Sequence, residues 1–138
     1  MNVYLDSSIV LRVLLDQPRQ LSVWGEWEKA YSSELLGVEC RRVIDRLRLE
    51  NALDDETLAE TVEQLAKIEK TITRVRLTKS IVQAASKSMP TVVKTLDAFH
   101  LVSAVSIRDR RAADLFFATH DGQQATAARA LGFACLES

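Results

Sequence analysis

The stretch 2-NVYLDSSIVLRVLL-15 decides the fold. Val3 and Leu5 alternate with Asn2 and Tyr4 at the period of two expected of a short strand. Ile9, Leu11, Val13, Leu14 and Leu15 follow in a run suited to a buried helix, with Ser7 or Ser8 placed to cap its start. One carboxylate, Asp6, stands between these two apolar segments. Either it caps the helix or it points into a site.

The same alternation recurs downstream. Pro18 suits the start of a second helix carrying Trp24 and Trp27, and 30–33 reads as a very short strand. Over 35–48, Leu36, Cys40, Val43, Ile44 and Leu47 recur at helical spacing. Asp54, Asp55 and Glu56 supply acids at the start of the next helix, whose apolar face is Leu58, Val62, Leu65 and Ala66. The segment 71-TITRVRL-77 alternates as a strand, and Thr78 caps a helix over 79–88 ended by Pro90. A strongly apolar helix over 96–108, a buried strand over 114–119, an Ala-rich helix over 122–131 closed by Gly132, and a last strand over 133–137 complete the chain. Strands separated by helices imply parallel βαβ units. The expected fold is a single three-layer α/β/α domain over 1–138, with a central parallel sheet of four or five strands.

Composition sets the outer limits. The 138 residues, 47% hydrophobic and 27% charged, suit one globular domain with a sizeable core. Two Pro and four Gly leave no room for long linkers. A net charge of −1 gives no global basic field, so nucleic-acid binding would need a local patch. Cys40 and Cys135 lie far apart, outside any CxxC pattern, and read as buried thiols in a reducing compartment. The N-terminus has no basic n-region before Asp6, so no signal peptide is expected, and no apolar run approaches the ~20 residues of a membrane helix. A cytoplasmic protein without membrane attachment is expected.

In a parallel sheet, functional groups collect beyond the carboxyl ends of the strands. Asp6 follows the first strand directly, and Asp121 follows 114–119 after His120. Glu39 lies early in the helix after the second strand, beside its apolar stripe, and Asp97 lies in the first turn of the most hydrophobic helix. A single Asp before a helix is more often a cap than a ligand. Four acids on one edge are harder to explain as caps, because clustered carboxylates repel unless a cation neutralises them. Oxygen-only donors select a hard ion, Mg²⁺ or Mn²⁺, rather than zinc. The other acids, Glu69 and Asp45 among them, read as solvated or capping.

The ordered set YLDSS, LLGVECRRV, LDAFHLVSA and FATHD, spanning nearly the whole chain, resembles the PIN-domain family. Within that family the size and the LDAFHL wording are similar to VapC-type toxins of toxin–antitoxin pairs. The resemblance implies a metal-dependent endoribonuclease whose acidic quartet is Asp6, Glu39, Asp97 and Asp121, catalytic and metal-binding. Ser8 and Thr119 would fill the small polar positions beside the first and last acids. It implies Mg²⁺ or Mn²⁺ as cofactor, an RNA substrate, a cognate antitoxin protein and a homodimer. His120 receives no catalytic role.

Arg41, Arg42, Arg46 and Arg48 make the Glu39 helix basic, and Arg108, Arg110 and Arg111 form a second cluster. A solvated face with pairs such as Arg41–Asp45 is the plain reading. Arg42 and Lys94 are the best candidates for RNA-phosphate contacts, being nearest Glu39 and Asp97. His100, three residues past Asp97, reads as a packed histidine before a ligand. Trp24 and Trp27 read as core packing, or else as a groove for an antitoxin segment or a self-association surface.

Other chemistries fit less well. A haloacid-dehalogenase-type phosphotransferase wants a second Asp two residues after the first, where Ser8 stands. A receiver-type phosphoacceptor needs paired acids and a later Lys, and neither GxxxxGK nor GxGxxG is present. The alternative from another class is a non-catalytic PIN-like module that only binds RNA or protein.

Overall fold

A computed structural model describes residues 1–111 and 114–136. In chain order the elements are β1 (Asn2–Leu5), α1 (Ser7–Leu14), β2 (Lys29–Ser33), α2 (Leu35–Leu49), α3 (Asp55–Lys70), β3 (Ile72–Val75), α4 (Lys79–Ala85), α5 (Thr95–Arg111), β4 (Leu115–Ala118), α6 (Gly122–Ala130) and β5 (Ala134–Leu136). All five strands are parallel, in the order β3-β2-β1-β4-β5. β1 is central and enclosed on both faces, which accounts for its nearly unbroken apolar run.

The pleat of β1 separates the two cores. Val3 and Leu5 join Ile9, Val10, Leu36, Cys40 and Leu65 beneath α1, α2 and α3. Tyr4 joins Tyr31, Leu101, Ala104, Phe117, Ala127 and Ala128 beneath α5 and α6. The result is the expected three-layer α/β/α arrangement with five parallel strands. Caps set the helix starts: Asp54 accepts the Thr57 N–H and Thr78 the Ile81 N–H, each worth about 1 kcal/mol.

The chain winds outward from β1 through β2 to β3, then returns to lay β4 on the other side of β1. The reversal opens a crevice between the carboxyl ends of β1 and β4, where ligands of such sheets bind.

Several expectations need correction. No helix carries Trp24 and Trp27; the segment between α1 and β2 is a series of turns, with Asp16, Arg19 and Gly25 at positive φ. The two indoles pack edge to face, 5.2 Å apart, and sit part-buried against the first core. Neither Ser7 nor Ser8 caps α1. Asp6 occupies the cap position without a side-chain cap bond, because both serine hydroxyls are engaged by carboxylates. α4 stops at Ala85, short of 88. Glu69 is buried, not solvated: it receives Arg41 in a two-pronged pair at 2.7 and 3.1 Å and Arg74 at 3.2 Å. Arg41 therefore does not pair with Asp45, which takes Arg42 and Arg48 instead. Cys40 is buried and Cys135 only partly so, and the two form no disulfide; the Cys135 thiol donates to the Ala125 carbonyl at 3.7 Å. Glu137, included in the last expected strand, lies outside the described residues. Among the described residues no helix is long and apolar enough to cross a membrane.

Candidate active site

The crevice is built outward from Asp6. Its backbone N–H donates to the Ala118 carbonyl at 3.0 Å, joining the ends of β1 and β4. Its side chain is only 4% exposed, so the carboxylate needs partners close by. Oδ2 accepts Ser8 Oγ at 2.7 Å and Thr119 Oγ1 at 2.9 Å. The same two hydroxyls organise the turn after β4, for Ser8 Oγ accepts the His120 N–H and Thr119 Oγ1 the Asp121 N–H, both at 3.0 Å.

Gln124, fully buried, lies 3.2 Å from Thr119 Oγ1. Thr119 has one hydroxyl proton, and the shorter contact to the Asp6 carboxylate claims it. Orienting the Gln124 amide with Nε2 toward Thr119 then satisfies a buried Nε2 that otherwise has no hydrogen-bond partner among the described residues.

Glu39 reaches the crevice from the second turn of α2, on the layer opposite α5. Oε2 accepts Ser7 Oγ at 3.0 Å, and Oε1 lies 2.6 Å from His100 Nε2. His100, on α5, has no exposed surface, and its Nδ1 is 2.8 Å from the Tyr4 hydroxyl. Burial works against its charged form. The bond to Glu39 and the negative charges of Asp6, Glu39 and Asp97 outweigh that, raising its pKa above the ordinary value.

Asp97 stands in the first turn of α5, half-buried. Burial first, then the charges of Asp6 and Asp121, push its pKa up to about 6, against the smaller pull of His100 and Lys94. Asp121 is the N-cap of α6: Oδ1 accepts the Gln123 and Gln124 N–H groups at 2.9 and 3.3 Å. Its other oxygen makes no hydrogen bond among the described residues, so capping occupies only half of the carboxylate.

The crevice thus collects all four acids named from the sequence, with Ser8 and Thr119 on the first of them. Lys94 is exposed but close enough for Asp97 to feel its charge. Arg42 is exposed and turned toward Asp45 on its own helix, at 3.7 Å. The sequence did not disclose that Ser7 and His100 hold Glu39, or that Tyr4 lies behind His100. The spacing Asp97–His100 put the imidazole on the right face; its partner, 61 positions away, left no local signal.

The donor set suits a hard divalent ion. Asp6 Oδ1, the Asp97 carboxylate and Asp121 Oδ2 receive no protein hydrogen bond among the described residues, and all are oxygen donors. As the side chains stand, no three His, Cys, Asp or Glu among the described residues are grouped to hold a metal ion. The carboxylates share one field without closing round a common point.

A family model, described as PIN domain, matches residues 3–130 of the chain. No curated protein matches it.

Proposed function

The chain belongs to the PIN-domain family, a family of nucleases, and from that premise we propose that it is an Mg²⁺- or Mn²⁺-dependent endoribonuclease acting as the toxin of a toxin–antitoxin pair. The observation that carries the metal-dependent reading is Asp97, whose carboxyl is raised to about 6 by burial and by Asp6 and Asp121. An aspartate at a sheet switch point whose ionisation burial and two neighbouring aspartates oppose marks a binding field for a cation. In this reading Asp6, Glu39, Asp97 and Asp121 are the catalytic quartet.

A bound divalent ion would supply charge neutralisation at the scissile phosphate and a water acidic enough to attack it. The residues of the chain supply the geometry. Ser8 and Thr119 fix Asp6 through Oδ2 and leave Oδ1 for a ligand. Asp97 and the open oxygen of Asp121 would hold the same ion from the starts of α5 and α6. Lys94 and Arg42 would meet flanking phosphates as exposed cations, offsetting the negative field that the quartet presents to RNA. A cognate antitoxin protein, a homodimer and a cytoplasmic setting complete the reading.

The test is cleavage of a structured RNA by the purified chain with Mn²⁺. Cleavage should stop on chelation and in Asp97→Asn, with the circular dichroism spectrum unchanged. Cleavage that survives both treatments defeats the reading.

A further inference from the structure

Glu39 differs from the three aspartates in having both oxygens engaged by the protein. Ser7 Oγ donates to Oε2 at 3.0 Å, and His100 Nε2 lies 2.6 Å from Oε1. An ionised carboxylate can only accept, so Nε2 carries the proton and donates it. Nδ1 lies 2.8 Å from the Tyr4 hydroxyl, accepting from it in the neutral imidazole and donating to it in the imidazolium that the raised pKa favours, so the contact holds in both forms.

The imidazole has little freedom to turn. It is fully buried, its ring meets Tyr4 edge-on at 5.8 Å, and Tyr4 stacks on Phe117 at 5.4 Å. Tyr4 and Phe117 belong to the core under α5 and α6, whereas Ser7 and Glu39 belong to α1 and α2 on the other face. The bond from His100 to Glu39 therefore passes over the carboxyl edge of the sheet and ties the two outer layers together. It fixes the distance between α2 and α5 at the crevice.

We propose that Tyr4, His100 and Ser7 form a clamp that holds Glu39 outside the first coordination shell of the ion, where it would accept a hydrogen bond from an ion-bound water rather than ligating directly. This rests on the metal-dependent reading above. A cation could reach Oε1 only through its second lone pair, close beside the Nε2 proton of an imidazole that cannot swing away. Asp6 Oδ1, 3.7 Å from the same Nε2 and so beyond hydrogen-bond reach, and the open oxygens of Asp97 and Asp121 impose a smaller conflict. Mg²⁺ and Mn²⁺ commonly use few protein ligands and keep several waters, whose protons need acceptors such as Glu39. His100 is then a positioning residue, acting through Glu39.

The test is Mn²⁺ affinity by electron paramagnetic resonance, with RNA kinetics on the same variants. Asp6→Asn should weaken Mn²⁺ by more than the about 100-fold that bounds loss of an outer partner, and Glu39→Gln by no more than about 10–100-fold. Glu39→Gln should still lower kcat by about 10–100-fold with KM little changed, and His100→Leu should do the same. His100→Gln, which restores a donor toward Glu39, should recover part of that loss. Equal Mn²⁺ losses in Glu39→Gln and Asp6→Asn overturn the proposal. An arm on the unmodified chain, independent of how the variants fold, follows the His100 Nε2–H resonance with ¹⁵N-labelled histidine. The resonance should persist when Mg²⁺ is added; its loss on Mg²⁺ binding also overturns the proposal. If the unmodified chain binds neither ion, the metal-dependent reading fails and this proposal with it. Ion binding with loss of the His100 resonance marks failure of the clamp alone, whereas absence of ion binding marks failure of the metal-dependent reading.

Discussion

Thr119 donates its hydroxyl to Asp6 Oδ2 at 2.9 Å across 113 positions of sequence. One bond thereby ties the carboxyl ends of the two strands that flank the switch point, and it sets the direction of the first acid. Thr119→Val keeps the shape but leaves the Asp6 carboxylate short of a donor in a buried setting. It should cost about 1–3 kcal/mol by chemical denaturation, while Thr119→Ser should cost less than about 1 kcal/mol. Equal stabilities of the Val and Ser variants would show that the hydroxyl does not support Asp6.

Asp97 gives the fold a pH signature. Its carboxyl moves from 3.8 in the unfolded chain to about 6 in the folded one, through burial and then Asp6 and Asp121. The folded state therefore holds a proton that the unfolded state has released between those values, and stability falls as pH rises through that window. Above about 6 the whole penalty is present. Solvent reaches this half-buried side chain, so the penalty is on the order of 1 kcal/mol rather than the full value of the shift. Asp97→Asn should stabilise the metal-free protein at pH 8 and change little at pH 3.5. A variant no more stable than the parent at pH 8 would remove the like-charge cluster from the account.

Gly37 makes room for the Glu69 ion pair. A Cβ there would lie 2.5 Å from Glu69 Oε2 and 2.7 Å from Arg41 Nη1. Gly37→Ala should cost no more than about 1 kcal/mol net, because the pair linking α2, α3 and β3 must shift while Ala gains about 0.5–1 kcal/mol within the helix. The hydrogen bond from Arg41, aided by the charges of Arg41 and Arg74, holds the Glu69 carboxyl below its ordinary 4.5. Its stabilisation is thus present above pH 4.5 and is lost as pH falls through the folded value. The parent should lose stability in that acid range more steeply than Gly37→Ala. Parallel acid limbs for the two proteins would contradict this.

Lys94 and Arg42 make separate contributions if they meet RNA phosphates. Each replacement by Ala should lower the slope of log affinity against log salt by about 0.7 for a single-stranded RNA. Lys94→Ala should also raise the pH at which Asp97 ionises, since its charge favours the carboxylate. Arg42→Ala should leave Asp97 unaffected. An unchanged salt slope in both variants would leave the basic side chains as solvated surface.

The carboxyl edge was legible because strand periodicity and chain order suffice to locate it. Asp6, Asp97 and Asp121 each follow a strand or open a helix, so topology alone gathers them. The partners of these acids were not legible, since they come from distant positions. Ser8 and Ser7 look like helix caps from their place in YLDSS, but with Asp6 and Glu39 nearby their hydroxyls bond to carboxylates. Glu69 looked solvated because the charges that bury it, Arg41 and Arg74, lie on other elements. The helix expected around Trp24 and Trp27 fails for a local reason, with Gly25 at φ +82° and Asp16 and Arg19 also in left-handed conformations. Three such residues in ten positions turn the chain repeatedly, and the indoles pack on each other in place of a helical stripe.

The proposed function requires the four-acid crevice to hydrolyse RNA with water activated by a divalent ion. The most direct measurement is cleavage in ¹⁸O-labelled water with Mn²⁺ present, reading the label in the product phosphate. One ¹⁸O is expected in the terminal phosphate of the cleaved RNA, with cleavage absent after chelation and in Asp6→Asn. Cyclic phosphate ends without label, or cleavage indifferent to chelation and to Asp6→Asn, would contradict it.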